Sequence, residues 1–149
     1  MRRALASVSV LGLMLAAAGC GGGGGERLTK AEFATQANAI CNDFNEELEG
    51  LGEPKSLEEL AELADKAIPI FEAGLGDLRD LNPPEEIEAA VDEWLDTGDE
   101  ALERSKRLRD AAKDGDEAEV RRIGQEVSEA EPKSDALARA VGATTCAEN

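Results

Sequence analysis

The sequence predicts an all-α protein, an antiparallel up-down-up-down four-helix bundle over residues 28–149. Three observations predict it. Apolar side chains recur at helical spacing in four successive stretches. Three of those stretches open on Thr, Ser or Asp with Glu three positions later, the spacing of a helix start. The connections between them are short, which favours antiparallel neighbours.

The first helix starts at "LTKAEF". Thr29 and Glu32 have capping-box spacing, and Leu28 with Phe33 can staple the entry. Its stripe is Phe33, Ala37, Ile40, Cys41, Phe44, Leu48 and Leu51, ended by residues 50–54. Cys41 shares a face with Ile40 and Phe44, so its sulfur is expected toward the core. The second helix opens at "SLEE" on Ser56 and Glu59. Leu57, Leu60, Ala64, Ala67, Ile68, Phe71, Leu75, Leu78 and Leu81 mark its buried face. Pro69 removes one backbone donor in mid-run and predicts a kink rather than a stop. Gly74 and Gly76 weaken the same end.

In "LNPPEE", Asn82 stops the second helix and the prolines suit the first turn of the third. Ile87, Val91, Trp94, Leu95, Ala101, Leu102 and Leu108 form the stripe. Acidic residues crowd Glu85 to Glu103, and bases crowd Arg104 to Lys113. That polarity complements a helix dipole. A docking surface at Arg104, Lys106, Arg107 and Arg109 is the alternative. The fourth helix follows the "KDGDEAE" turn, with Asp116 as cap and Glu119 three later. Asp114, Asp116 and Glu117 also suggest calcium, but the 12-residue ligand spacing of an EF-hand loop is absent. Val120, Ile123, Val127, Leu137, Ala138 and Val141 form the last stripe, expected to break near Pro132 and to end at Gly142.

Ahead of the bundle, Arg2 and Arg3 precede a charge-free run from Leu5 to Ala18, the plan of a secretory signal. The run is too short to cross a bilayer comfortably as a helix. Ala17, Ala18 and Gly19 before Cys20 resemble a bacterial lipobox, with Ala17 where that motif usually carries Leu. The resemblance implies removal of residues 1–19 and lipid on the Cys20 sulfur. Two or more acyl chains hold a protein stably on a membrane. The glycines at 21–25 would then act as a flexible lipidated leash, with residues 20–27 linking anchor to domain. An ordinary signal peptide or an uncleaved anchor, with Cys20 incidental, is the plainer alternative.

With Cys20 lipidated, Cys41 and Cys146 remain, and an exported chain meets a non-reducing environment that favours a disulfide between them. Closing a loop of about 100 residues is worth ~4.7 kcal/mol on a chain-entropy estimate. Two unconnected thiols, with Cys41 a small core residue, are the alternative. The bridge poses a geometric problem. Cys41 lies about 18 Å along helix one at ~1.5 Å per residue, whereas Cys146 follows the last helix. The tail must fold back, helix one be offset, or helix four end high.

The chain carries 33 acidic against 16 basic side chains, a formal charge of −17. Such a surface argues against nucleic acid and against lying flat on anionic lipid. The layout resembles small secreted helical lipoproteins of high-GC Gram-positive (actinobacterial-type) bacteria. The resemblance rests on Phe33 with Ile40-Cys41, on "LRDLNPPEE", on the "DGD" turn and on the closing "VGATTC". It implies an envelope protein and brings no catalytic residues with it.

The chain has no histidine and no tyrosine, and its two methionines, Met1 and Met14, lie in the leader. Haem held by His or Met, His-built metal sites and His-dependent nucleophiles are therefore excluded. No cofactor, metal site or catalytic residue is expected. Asp92 with Asp96, Asp96 with Glu100, and Asp99 with Glu103 are i, i+4 carboxylate pairs. They read as solvated surface, because the stripe turns Trp94, Leu95 and Leu102 inward. Trp94 itself reads as core, with ligand stacking as the alternative. The sequence thus predicts a non-enzymatic lipoprotein on the extracytoplasmic face of the cell membrane, an interaction or binding module held through Cys20. The alternative is a carrier of a small apolar or cationic ligand between kinked helices, suggested by Pro69, Gly74, Gly76 and Pro132.

Overall fold

The structure is a computed structural model that describes residues 26–147. The leader over residues 1–19, the Cys20 lipid site and the glycines at 21–25 lie outside the described residues. The described residues form a helical bundle of four α-helices, with no strand among them. These are α1 (Lys30–Glu49), α2 (Leu57–Arg79), α3 (Glu85–Lys113) and α4 (Glu117–Val141), followed by a 3-10 turn at Thr144–Ala147. None of the described helices is long and apolar enough to cross a membrane.

The helix starts follow from local chemistry. The Thr29 hydroxyl accepts from the Glu32 N–H, and the Glu32 carboxylate accepts from the Thr29 N–H at 2.9 Å, so two otherwise orphaned donors are satisfied reciprocally. Ser56 accepts from the Glu59 N–H at 3.1 Å. The Glu59 carboxylate reaches one residue further back, to the Lys55 N–H at 2.7 Å. Asp116 Oδ1 accepts from the N–H groups of Ala118 and Glu119. Pro84 occupies the cap position of α3 and makes no side-chain cap bond.

Three expectations change. Helix α2 ends at Arg79 rather than at Asn82. The Asn82 carbonyl instead accepts from the Leu28 N–H at 2.9 Å, tying the entry of α1 to the α2–α3 linker. Helix α4 runs unbroken through Pro132. Pro132 and Ser128, whose carbonyl loses its donor, are both exposed, so water can take that bond and the packed inner face holds the helix together. Val127, expected in the buried stripe, is 47% exposed.

The main core gathers Phe33, Ala37 and Cys41 of α1 with Leu75 and Leu78 of α2. Ile87, Val91, Trp94 and Leu95 of α3 join them, with Ala138 and Val141 of α4. Ala143 and Ala147 of the tail complete it. Phe33, Ile123 and Val141 are the largest fully buried side chains.

The tail folds back, and this resolves the problem of register. Gly142 ends α4 at φ 89°, a left-handed conformation that glycine adopts without steric cost. It sits so close to α1 that a Cβ there would lie 3.0 Å from the Ala34 Cβ. Asn38 then clamps the turn, donating to the Gly142 carbonyl at 3.0 Å and accepting from the Thr145 N–H at 2.8 Å. Arg139 donates to the Ala147 carbonyl at 2.7 Å. The turn carries Cys146 along α1 to Cys41, where the two are disulfide-bonded with Cα atoms 5.2 Å apart.

Candidate functional site

A cavity of about 240 Å³ opens at mid-height among the helices. Its walls are apolar. Ile40 and Phe44 come from α1, Phe71 and Leu75 from α2, and Trp94 from α3. The rings of Phe44 and Phe71 stand 5.5 Å apart, tilted at 48°. The Cys41–Cys146 bridge forms part of the wall.

The sequence leaves this space open because the facing positions on α3 and α4 are small: Gly98, Ala101, Ala130 and Ser134. Close packing next door uses two glycines. A Cβ on Gly98 would meet Leu75 Cδ1 at 2.8 Å, and one on Gly74 would meet Phe44 Cδ2 at 3.4 Å. Val127 stands at the same opening, which accounts for its exposure.

Six polar residues line the cavity, and Asn45 among them donates to the Thr145 carbonyl at 3.4 Å. Thr97 donates to the Trp94 carbonyl at 2.6 Å and lies 3.2 Å from the Ser134 hydroxyl. Asp135 pairs with Arg139 at 3.3 Å. Arg104 differs. Its side chain is only 15% exposed, and its single ion pair, with Glu100, is loose at 3.6 Å. Its Nε lies shielded from solvent, with no hydrogen-bond partner among the described residues. A buried guanidinium donor left without an acceptor costs free energy.

A wider, open cleft of about 590 Å³ separates the start of α2 from the end of α3. Lys113 there is already bonded to Asp65 at 2.8 Å.

The other residues singled out by sequence are placed as follows. Trp94 is 7% exposed, both core and cavity wall. Asp92, Asp96, Asp99, Glu100 and Glu103 are exposed. Three of them are paired, Asp99 with Arg79, Glu100 with Arg104 and Glu103 with Lys106. No cluster of metal-ligating side chains occurs among the described residues. Asp116 caps α4, as its position suggested.

The basic block of α3 has a role the sequence did not reveal. Lys106 bonds Glu72 at 3.2 Å, Arg109 faces Asp65 at 3.7 Å, and Arg107 pairs with Glu126. These bases strap α3 to α2 and α4. The hydrogen bond from Arg122 holds the Glu119 carboxyl below the usual carboxylate range, and that from Arg107 does the same for Glu126. Of the residues that suggested a ligand between helices, Gly74 lines the cavity, and Ala130, Glu131 and Ser134 flank Pro132 beside it. Pro69 and Gly76 do not line it.

No protein family, curated protein or solved structure matches the chain. The site is therefore read from its own geometry.

Proposed function

We propose that the chain is a non-enzymatic binding protein whose mid-height cavity takes one small, mainly apolar ligand. The observation that carries this reading is the pocket among the helices, lined mainly by aromatic and aliphatic side chains with six polar residues among them. Small-molecule sites have that make-up. Its size limits the ligand. At about 240 Å³ it falls below the ~300 Å³ where drug-sized sites begin. It exceeds the ~150 Å³ of a dry apolar cavity that accepts benzene or xenon.

The topology belongs to the same proposal: an antiparallel up-down-up-down bundle. Register pairs support it. Glu72 with Lys106 and Asp65 with Lys113 run in opposite senses along α2 and α3. Glu93 with Lys133 and Arg107 with Glu126 do so along α3 and α4. The leader, the Cys20 lipid and the glycine leash complete the proposal, and they rest on the sequence. The chain is then a lipoprotein on the extracytoplasmic face, similar to the secreted helical lipoproteins of actinobacterial type.

Xenon under pressure tests the cavity. Methyl resonances of Leu75 and Val127 are expected to shift saturably, and Ala130→Leu is expected to abolish the shifts while the helices persist. Unmoved methyls at saturating xenon would sink the binding role. Intact-mass analysis with fractionation tests the anchor. Cys20→Ala is expected to lose the lipid mass and leave the membrane fraction, and a variant that stays there contradicts it.

A further inference from the structure

We infer that the ligand of this cavity carries a single carboxylate, received by Arg104, on an apolar body of one ring or a short acyl chain. The inference rests on the ligand-site reading and adds the chemistry of the head group. Three observations meet at one place. Arg104 lines the cavity, is 15% exposed and holds Glu100 only at 3.6 Å. Its Nε–H, shielded from solvent, has no acceptor among the described residues. Phe44, Phe71, Leu75 and Trp94 offer a ligand body apolar contact, and Arg104 is the one cationic side chain in the cavity wall among the described residues.

A guanidinium is a fixed fork of donors with no acceptor, so its complement is an oxygen, and best a carboxylate. The bases nearby on α3 differ from Arg104 in this respect. Lys106, Arg107 and Lys113 each hold a carboxylate of a neighbouring helix within hydrogen-bonding distance, whereas the partner of Arg104 sits one turn back on its own helix. Glu131 and Asp135 stand across the cavity and would favour a cation instead. Asp135 is engaged by Arg139, and Glu131 is exposed to water that screens it.

The protein's net charge makes the preference diagnostic. At −17, the long-range field repels anions, so unspecific binding ranks ammonium above alcohol above carboxylate. Recognition by Arg104 reverses that order.

Calorimetric titration of the full chain with octanoate, octanol and octylammonium at one ionic strength compares three heads on one tail. Octanoate is expected to bind about tenfold or more tighter than octanol, the factor typical of a hydrogen bond to a charged group. Arg104→Met is expected to bring octanoate to the level of octanol, with a much smaller change for octanol, whose hydroxyl makes only a neutral hydrogen bond. Glu100→Gln, a change at an exposed position, removes the competing carboxylate and is expected to tighten octanoate a few-fold. Octanol matching octanoate, or an Arg104→Met variant with unchanged octanoate affinity, would overturn the carboxylate head and leave the cavity reading standing. Tightest binding of octylammonium assigns the head to Glu131 and Asp135 and also overturns it. Failure of all three ligands overturns the inference together with the ligand site. If Arg104→Met does not fold, an unchanged or weaker octanoate affinity in Glu100→Gln decides against the inference alone.

Discussion

At one end of the bundle, Phe33, Val141, Ala143 and Ala147 are at most 4% exposed, and the tail is fastened to α1 by Asn38 and by a disulfide. Toward the other end, the buried hydrophobic residues outside the main core are Ala61, Ala64 and Ile68 of α2, Leu102, Ala111 and Ala112 of α3, and Ile123 of α4, with none from α1. The ties there are ion pairs, Asp65 with Arg109 and Lys113, and Glu126 with Arg107 and Arg122. Helix lengths explain the difference. The 20 residues of α1 span about 30 Å and the 29 of α3 about 43 Å at ~1.5 Å per residue. A four-helix end with an aromatic core thus passes into a three-helix end that packs four alanines with Ile68, Leu102 and Ile123. The cavity lies where α1 gives out, between a stapled region and a charge-strapped one.

The largest expected effect breaks the packed end. Phe33→Ala removes a fully buried ring and is expected to cost about 3–5 kcal/mol in urea unfolding. Ile123→Ala, in a three-helix end with one helix fewer to pack against, is expected near the lower end of the ~2–5 kcal/mol range. Equal losses would erase the contrast between the ends.

Next comes the staple. Cys146→Ser opens a 105-residue separation and is expected to cost about 2–5 kcal/mol. Hydrogen exchange locates the effect. Amides of residues 142–147 and of Asn38 are expected to lose protection beyond the global change, while those around Ile123 follow the global change only. A smaller loss, about 1–3 kcal/mol, is expected for Asn38→Ala, which strands the Thr145 N–H and the Gly142 carbonyl.

The smallest effects fall at the strapped end and depend on the medium. Arg107→Met exchanges an exposed pair, and its effect is expected to shrink with added salt. The Glu119 and Glu126 carboxyls are lowered in the folded chain. Their contribution is therefore full above the ordinary carboxylate pKa and lost as pH falls through the depressed native values. Acidification is expected to loosen the first turns of α4 before the tail of the chain, as read by hydrogen exchange. Simultaneous loosening contradicts the contrast.

Sequence and structure agree most closely where the signal is local. Thr29 with Glu32, Ser56 with Glu59, and the Asp116 cap each depend on residues within one turn, and a linear pattern contains them. The Cys41–Cys146 pairing followed from cysteine counting, but its route did not, because the clamp on Asn38 spans over 100 residues. Pro132 misled for a definite reason. A proline on a wet face costs a helix less than one in a packed interior, and exposure is not written in the local sequence. Val127 misled because the stripe was extended past the point where α1 stops covering it. The partners of Lys106 and Arg109, Glu72 and Asp65, lie on another helix, so the α3 bases read as one undifferentiated block. Arg104 was hidden inside that block. The small residues that line the cavity, Gly74, Gly98, Ala101, Ala130 and Ser134, were the trace of an unfilled space, and small residues in a helix are common without one.

The chain's single tryptophan gives the most direct reading of the central claim, that the space where the two ends meet holds a ligand. Trp94 lines that space, so its fluorescence reports occupancy without a label. Titration with toluene is expected to change the emission along a saturable curve, and Ala130→Leu is expected to flatten that curve in a folded protein. Emission that stays constant to the solubility limit of toluene, or that responds equally in Ala130→Leu, would contradict a binding cavity at this position.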